Sequence, residues 1–375
     1  MILPVSPIFG IPPFMKPQPS SSAVPRTIAV FLPNWIGDVV MATPTLRALR
    51  EKYPSPTRLV GVMRPYVAKV LAGTPWLDQN LFYDRHAGKP ELSPRALLKQ
   101  LKAESPDMAV ILSSSWTSAW IAWRSGAKRR IGYARNLRGL LLTDRCHDEY
   151  ENGKRRILST VDQYLKLATL AGCGEGERRV ELTTLASDEQ AAEQVWSNLQ
   201  LHGRRVVMLN MSAMTGDSRL WPREHVVELA RSIVDRTDAT VLLLCGPSEK
   251  EGVERIEREL AHPRVLSMAK QDLGLSVSRA IIRRGTMLVT TDSGPRHIAA
   301  AFSVPTVVLY GPTTPLWTWN YSQVEREVSL DMSCRPCERK KCPLAHNLCM
   351  RDLRPELVIR AVREMLERTT RRLVA

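Results

Sequence analysis

Asp38 is the first residue whose type and position could carry chemistry. It follows Gly37 in a short loop, residues 33–38, between a continuous apolar run and a segment with helical spacing. A carboxylate at such a strand-to-helix turn faces a cleft, where it can take a proton from a hydroxyl as a general base. Asp is also a favoured N-cap residue, so capping of the helix is the competing interpretation. On the residues alone, both roles stay open.

A second apolar run ends in a small polar loop, after which a helix of small residues begins at once. The loop is Asp292, Ser293, Gly294 and Pro295. Backbone N–H groups and the dipole at a helix start bind phosphate, so this loop predicts a diphosphate site. His297, one turn into the helix, can hydrogen-bond a phosphate oxygen or can only tie down the loop.

A third loop, residues 210–222, adds hydroxyl groups and positive charge. Ser212 and Thr215 can bind phosphate oxygens, and Arg219 can neutralise a leaving diphosphate without a metal. The alternative for Arg219 is a solvated loop arginine. Gly246, in another small-residue turn into a helix, is a weaker candidate for the same site.

Two motifs are missing from the sequence. No Asp-x-Asp follows an apolar run to hold a divalent metal on a diphosphate, which favours metal-independent stabilisation of the leaving group. No Gly-x-Gly-x-x-Gly follows either opening strand, which argues against a dinucleotide oxidoreductase.

Four of the seven cysteines fall within 16 residues. They are Cys334, Cys337, Cys342 and Cys349. Four thiols can hold zinc tetrahedrally, but these spacings are not those of a common paired-knuckle site, so disulfides and free thiols remain alternatives. The other three cysteines are scattered, which is typical of reduced core thiols in a cytoplasmic protein.

The elements that must position these loops form two successive series of alternating strands and helices. Such series predict an α/β fold of two doubly wound Rossmann-like domains facing across a cleft, with ligands at the strand carboxyl ends. We expect a disordered Pro/Ser-rich leader at 1–25 and two Rossmann-like domains, at 26–185 and at 186–350. The latter includes a Cys-rich loop, 334–349, and a basic amphipathic helix follows at 351–375.

Composition limits the partners. The 375 residues carry a formal charge of +15, which favours an anionic partner. Low aromatic content and the absence of a zinc-finger pattern argue against nucleic acid. No apolar run is long enough to span a bilayer, and the proline-interrupted leader does not resemble a secretory signal. The basic run 124–138 follows three tryptophans, so it is either a solvated face or a surface that meets a glycolipid.

Taken together, these segments resemble glycosyltransferase family 9, in its lipopolysaccharide heptosyltransferase II branch. The resemblance covers about residues 27–365 and is carried by 34–38, 130–133, 220–222, 291–300 and 342–350. It implies a GT-B fold and inverting, metal-independent transfer from ADP-L-glycero-D-manno-heptose to the lipopolysaccharide inner core, heptosyl-Kdo2-lipid A. No cofactor is then required.

The resemblance also assigns roles: it implies that the domain at 26–185 binds the acceptor and that the domain at 186–350 binds the nucleotide sugar. Asp38 matches the catalytic base, the loop from Asp292 to His297 matches the donor site, and Leu273 falls where a residue lines the adenine pocket. Arg219 stands where the family usually has lysine, and residues 211–213 depart from the family's Pro-Gly-Ala. Acceptor-binding candidates are Asn34, Trp35, Arg129, Arg130 and Arg135.

The resemblance implies a cytoplasmic protein in peripheral contact with the inner membrane. Three alternatives remain: a family-related transferase that uses another nucleotide sugar or acceptor, a non-catalytic nucleotide-sugar-binding protein and a GT-B epimerase. Acceptor-dependent release of ADP would separate the last two from a transferase.

Overall fold

The computed structural model describes residues 24–211, 217–271 and 274–374. Ser212, Thr215 and Leu273 lie outside the described residues, as does nearly all of the predicted leader. Within the described part of the chain, no helix is long and apolar enough to cross a membrane.

Two six-stranded parallel sheets form the frame of the molecule, in the strand orders β3-β2-β1-β4-β5-β6 and β11-β10-β9-β12-β13-β14. The strands of the first sheet are β1 Thr27–Phe31, β2 Arg58–Met63, β3 Gln79–Phe82, β4 Met108–Ile111, β5 Arg129–Tyr133 and β6 Asp144–Cys146. A small hairpin follows, β7 Tyr150–Glu151 and β8 Lys154–Arg155. Those of the second sheet are β9 Val206–Asn210, β10 Thr240–Leu243, β11 Val265–Ser267, β12 Met287–Thr291, β13 Thr306–Tyr310 and β14 Glu325–Ser329. Both orders are those of the doubly wound fold, which confirms the expected fold class.

Helices connect the parallel strands. In the first half they are α1 Ile36–Met41, α2 Thr43–Lys52, α3 Pro65–Leu71, α4 Pro94–Glu104, α5 Trp116–Arg124 and α6 Thr160–Leu170. In the second they are α7 Ala186–Asn198, α8 Arg223–Arg236, α9 Lys250–Leu260, α10 Leu275–Arg284, α11 Gly294–Ala301, α12 Pro315–Thr318, α13 Leu348–Arg351 and α14 Pro355–Val374. The predicted boundary at 185/186 falls at the start of α7, which packs against α10. The C-terminal α14 packs against α8 and the β13–β14 edge of the second sheet.

The burial of each strand explains whether its sequence is a continuous apolar run. Strands β1, β9, β12 and β13 are buried at every residue, as expected for parallel strands covered by helices on both faces. Their sequences are therefore nearly continuous apolar runs. The edge strand β14 is polar and mostly exposed or half-buried, so it carries no such signal.

The two halves meet through helices. Helix α1 packs against α11, and α3 packs against α10. Arg279 of α10 is fully buried at this boundary, where it pairs with Asp188 of α7 at 2.8 Å. Its guanidinium also donates to the Val70 carbonyl at the end of α3, at 2.7 Å. This arginine therefore fixes the first half against the second.

Candidate active site

The two loops that carry the strongest sequence signals lie beside the points where strand order reverses. One follows β1 and leads into α1, and the other follows β12 and leads into α11. Ligands of doubly wound sheets bind outside the carboxyl ends of the strands at these points. Because α1 packs against α11, both loops border one cleft.

Gly37 is the point of closest approach between the two loops. A Cβ built on Gly37 would lie 2.6 Å from His297 Cδ2, which is far inside van der Waals contact. A Cβ on Gly294 would lie 3.2 Å from Ile36. The absence of a side chain at Gly37 is therefore what allows Asp38 to lie next to the second loop.

We expect Gly37→Ala to lower the free energy of unfolding by about 1–3 kcal/mol, since the added methyl overpacks a buried contact. We also expect kcat to fall by about tenfold, because displacement of α1 moves Asp38. Urea unfolding and initial rates measure the two effects. Gly252→Ala in α9 is the matched control: a Cβ there meets nothing within 4 Å, so it should stabilise the helix slightly. Equal behaviour of both variants would contradict the close approach.

Asp38 does not cap α1, so the capping interpretation of this residue is wrong. The helix begins at Ile36, and Trp35 occupies the N-cap position, which leaves Asp38 as the third helical residue. Burial and, to a smaller extent, the nearby Asp292 carboxylate together raise the pKa of Asp38 to about 6. A carboxylate with this pKa is ionised near neutral pH and still basic enough to accept a proton.

Asp292 is buried and held by a second buried residue. Arg296, fully buried, donates to Asp292 Oδ1 at 3.2 Å and to Glu325 Oε2 at 2.9 Å. Thr318 Oγ1 also donates to Asp292 Oδ1, at 3.2 Å. Asp292 is therefore part of the support beneath the loop, whereas the partly exposed Ser293, Gly294 and Pro295 face the cleft.

His297 belongs to the same buried network. Its Nδ1 lies 3.4 Å from Asn320 Nδ2, and that amide also donates to Glu325 Oε1 at 2.9 Å. Burial lowers the pKa of His297 well below its ordinary value, and the Arg296 charge adds to this, so the ring is neutral. With only 3% of its surface exposed, His297 positions the loop, which is the second of its two proposed roles.

Arg219 lies beside this loop. Its Nη1 donates to the Asp292 carbonyl oxygen at 2.9 Å, and about 30% of its side chain remains exposed. The neighbouring Ser218 donates through Oγ to the Arg339 carbonyl oxygen at 2.6 Å. Arg219 is therefore anchored next to the candidate donor loop with part of its guanidinium accessible. Gly246 follows β10, one strand beyond β9 on the side away from β12.

The acceptor-binding candidates divide into two groups. Asn34 and Trp35 are exposed at the mouth of the first loop. The three arginines donate hydrogen bonds to other residues of the first half. Arg129 donates to Asp144 and to the Leu170 carbonyl oxygen, and Arg130 donates to the carbonyl oxygens of Leu141 and Ala127. Arg135 donates to Asp148 and Gln163. Much of the basic run thus has structural partners, and an acceptor role for these arginines stays a prediction.

The four clustered cysteines line one small cavity beside the Arg219 segment, and all are free thiols. Among the described residues, no three histidine, cysteine or acidic side chains stand in ligand geometry around one point.

The model of glycosyltransferase family 9 (heptosyltransferase) matches residues 94–347, more than half of the chain. The chain belongs to this family. It is therefore a glycosyltransferase, as the sequence motifs indicated. Asp38 lies before the matched range, so its assignment depends on the contacts described above.

Relatives of this family cover nearly the whole chain. Lipopolysaccharide heptosyltransferase 2 of Escherichia coli K12 is 26% identical over 351 residues, 90% of this chain and 98% of that protein. The solved structure of the E. coli ADP-heptose LPS heptosyltransferase II has a TM-score of 0.73 at 22% identity, covering 91% of this chain and 99% of that one. The E. coli heptosyltransferase WaaC with ADP-2-deoxy-2-fluoro heptose has a TM-score of 0.66 at 18% identity, covering 90% and 99%. These similarities confirm the expected GT-B fold.

Several residues of the family 9 site escaped the sequence analysis. Glu325 is the first residue of the edge strand β14, and Asn320 lies just before that strand. The sequence of β14 is not a continuous apolar run, so it gave no sign of a strand there. Arg296 lies four residues after Asp292, which is the spacing of neighbours on a helix, so that partnership could have been inferred. Tyr164 of α6 lies within electrostatic range of Asp38, and only the packing of α6 beside α1 places it there.

Proposed function

We propose that this family 9 protein is an inverting, metal-independent heptosyltransferase. It transfers a heptose from ADP-L-glycero-D-manno-heptose to the lipopolysaccharide inner core, heptosyl-Kdo2-lipid A. The names of its relatives support the donor and the acceptor class. No cofactor and no added divalent cation is needed.

One observation carries the proposal. The Asp38 carboxylate approaches the cleft from the first sheet, and the amino end of α11 approaches it from the second, close enough for Asp292 to shift the pKa of Asp38. A general base and a phosphate-binding helix start therefore face each other, which is the arrangement that a displacement at a sugar carbon needs.

In the proposed reaction the donor diphosphate lies against Ser293, Gly294 and Pro295, with Arg219 balancing its charge. Asp38 takes the proton of the acceptor hydroxyl as its oxygen bonds to the anomeric carbon. The bond from that carbon to the diphosphate breaks on the opposite face, so ADP leaves and the configuration inverts. The carboxylate of Asp38 also stabilises positive charge that develops on the sugar.

The acceptor is part of a lipid, so we further propose peripheral contact with the cytoplasmic face of the inner membrane. The first half exposes apolar side chains on α5 and on the segment between β5 and β6. They are Trp116, Trp123, Leu137 and Leu140. A net charge of +15 adds attraction to an anionic surface.

The deciding experiment follows release of ADP from ADP-heptose, with and without purified acceptor that lacks the second heptose. Release that depends on acceptor and proceeds without added Mg²⁺ is expected. Isomerised sugar without acceptor would instead show an epimerase, and binding without turnover would show a non-catalytic protein.

The pH dependence of kcat/KM should report Asp38. Since the carboxylate has a pKa of about 6 and must be ionised to accept a proton, kcat/KM should fall about tenfold per pH unit below pH 6. Initial rates between pH 4.5 and 8 measure this. An acid limb centred near pH 4, the ordinary range of aspartate, would contradict the assignment.

Arg219→Ala should weaken ADP binding by about 10–100-fold, because a charge-assisted contact to the diphosphate is lost. Calorimetric titration with ADP measures the change. Arg219→Lys keeps a point charge and should recover part of the affinity. Arg223→Ala, which removes an exposed pair with Glu259, is the control. Unchanged ADP affinity in Arg219→Ala would remove this arginine from the donor site.

A further inference from the structure

The Cys-rich loop is an ordered connection that lacks regular structure. The connection runs over residues 330–347, between β14 and α13, and holds three of the four clustered cysteines, while Cys349 lies at the start of α13. Loops of this length without helix or strand are uncommon in compact domains and are usually functional or held by special contacts. Arg335, Glu338 and Arg339, which lie between and beside its cysteines, hold this one through hydrogen bonds.

All four cysteines, Cys334, Cys337, Cys342 and Cys349, line one cavity of about 20 Å³. This volume accommodates a single water-sized particle. Cys349 is buried and the other three cysteines are half-buried, and the side chains of all four border this one cavity.

Groups around the cavity favour negatively charged sulfur. The backbone N–H groups of residues 344–347 are directed at the Cys342 sulfur. The Arg335 side chain also lines the cavity and is fixed by donating to the Gly311 and Leu330 carbonyl oxygens. Amide donors and a nearby cation are the outer contacts that orient thiolate ligands of a metal.

We propose that Cys334, Cys337, Cys342 and Cys349 bind one zinc ion as four thiolates in a structural site. Each thiol gives up its proton to solvent as its sulfur binds, so no oxidant is involved. The thiols do not yet stand in ligand geometry, so binding turns the side chains toward the cavity that they already line. His346 also borders the cavity, but its Nδ1 accepts the Leu348 N–H at 3.0 Å and serves to shape the loop.

The zinc site would support the segment that carries Arg219 without taking part in the reaction. Between the second and third cysteines, Glu338 accepts the Thr314 N–H at 2.9 Å, and the Arg339 carbonyl accepts from Ser218, the neighbour of Arg219. Zinc binding would therefore hold the segment that carries Arg219. The inference does not depend on which sugar is transferred.

The test is the metal content of the full-length protein, purified without a polyhistidine tag after growth with added zinc. We expect one zinc ion per chain by elemental mass spectrometry. A mercurial reagent that titrates four thiols should release this zinc in parallel. Removal of the zinc should lower Tm by about 5 °C or more, since a ligand of the folded state is lost.

Cys342→Ser and Cys334→Ser should each lose the zinc, whereas Cys146→Ser in β6 should keep it. The wild-type measurement stands even where a variant fails to fold. Wild-type protein that takes up no zinc when Zn²⁺ is supplied, or that holds these cysteines in disulfides by peptide mass spectrometry, would overturn the proposal. So would a Tm that is unchanged after zinc removal.

Discussion

Replacing Asp38 by asparagine is expected to lower kcat by at least about 100-fold while leaving ADP affinity unchanged. The size follows from the usual contribution of a general base. Affinity should survive because the proposed diphosphate contacts, at Arg219 and the start of α11, lie on the other side of the cleft. Single-turnover rates and calorimetric titration with ADP separate the two quantities.

The same substitution should stabilise the protein above pH 6. The folded state holds the Asp38 proton up to a pKa of about 6, against an ordinary value of 3.8, so the wild type loses stability as pH rises between these values. Asparagine carries no charge to bury, so the variant should gain up to about 3 kcal/mol at pH 7.5 and nothing at pH 3. Thermal unfolding at the two pH values measures the gain.

Asp235→Asn, on the exposed face of α8, is the matched control and should change neither rate nor stability. An Asp38→Asn variant that turns over normally would show that this carboxylate is not the base. A variant that is inactive but less stable at pH 7.5 would show instead that Asp38 is needed for folding of the loop.

The positions of the loops could be predicted from the sequence because central parallel strands are visible in it as continuous apolar runs. Strands β1, β2, β10 and β12 are four such strands. Each is buried on both faces, so the apolar run and the strand nearly coincide. Since ligand sites of this fold lie where such strands end, the site followed from the strands.

The position of Asp38 within α1 could not be predicted from the neighbouring residues. A Gly-Asp pair before a helical segment favours an N-cap, but α1 begins two residues earlier, at Ile36. That start is set by packing against α11 and His297, which lie some 260 residues away in the chain. Long-range contacts of this kind leave no pattern in the neighbouring residues. The same reason hid Thr318 and Glu325, the distant partners of the Asp292–Arg296 pair.

Those partners form the most deeply buried charge network among the described residues of the site. Arg296 has no exposed surface, and the side chains of Asp292 and Glu325 are each about 5% exposed. The Arg296 guanidinium also lies 5.3 Å from the centre of the Tyr310 ring. A buried pair of this kind adds little net stability, but removal of one partner leaves the others charged and without compensation.

Arg296→Met should therefore lower the free energy of unfolding by about 3–5 kcal/mol, a large part of what a typical domain has. Urea unfolding measures this, with Arg326→Met as the matched control, because its pair with Glu364 is exposed and should contribute less than about 1 kcal/mol. Adding Glu325→Gln to Arg296→Met removes one uncompensated charge and should recover part of the loss, which a double-mutant cycle quantifies. If Arg296→Met were no less stable than Arg326→Met, the network would not be what holds the donor loop.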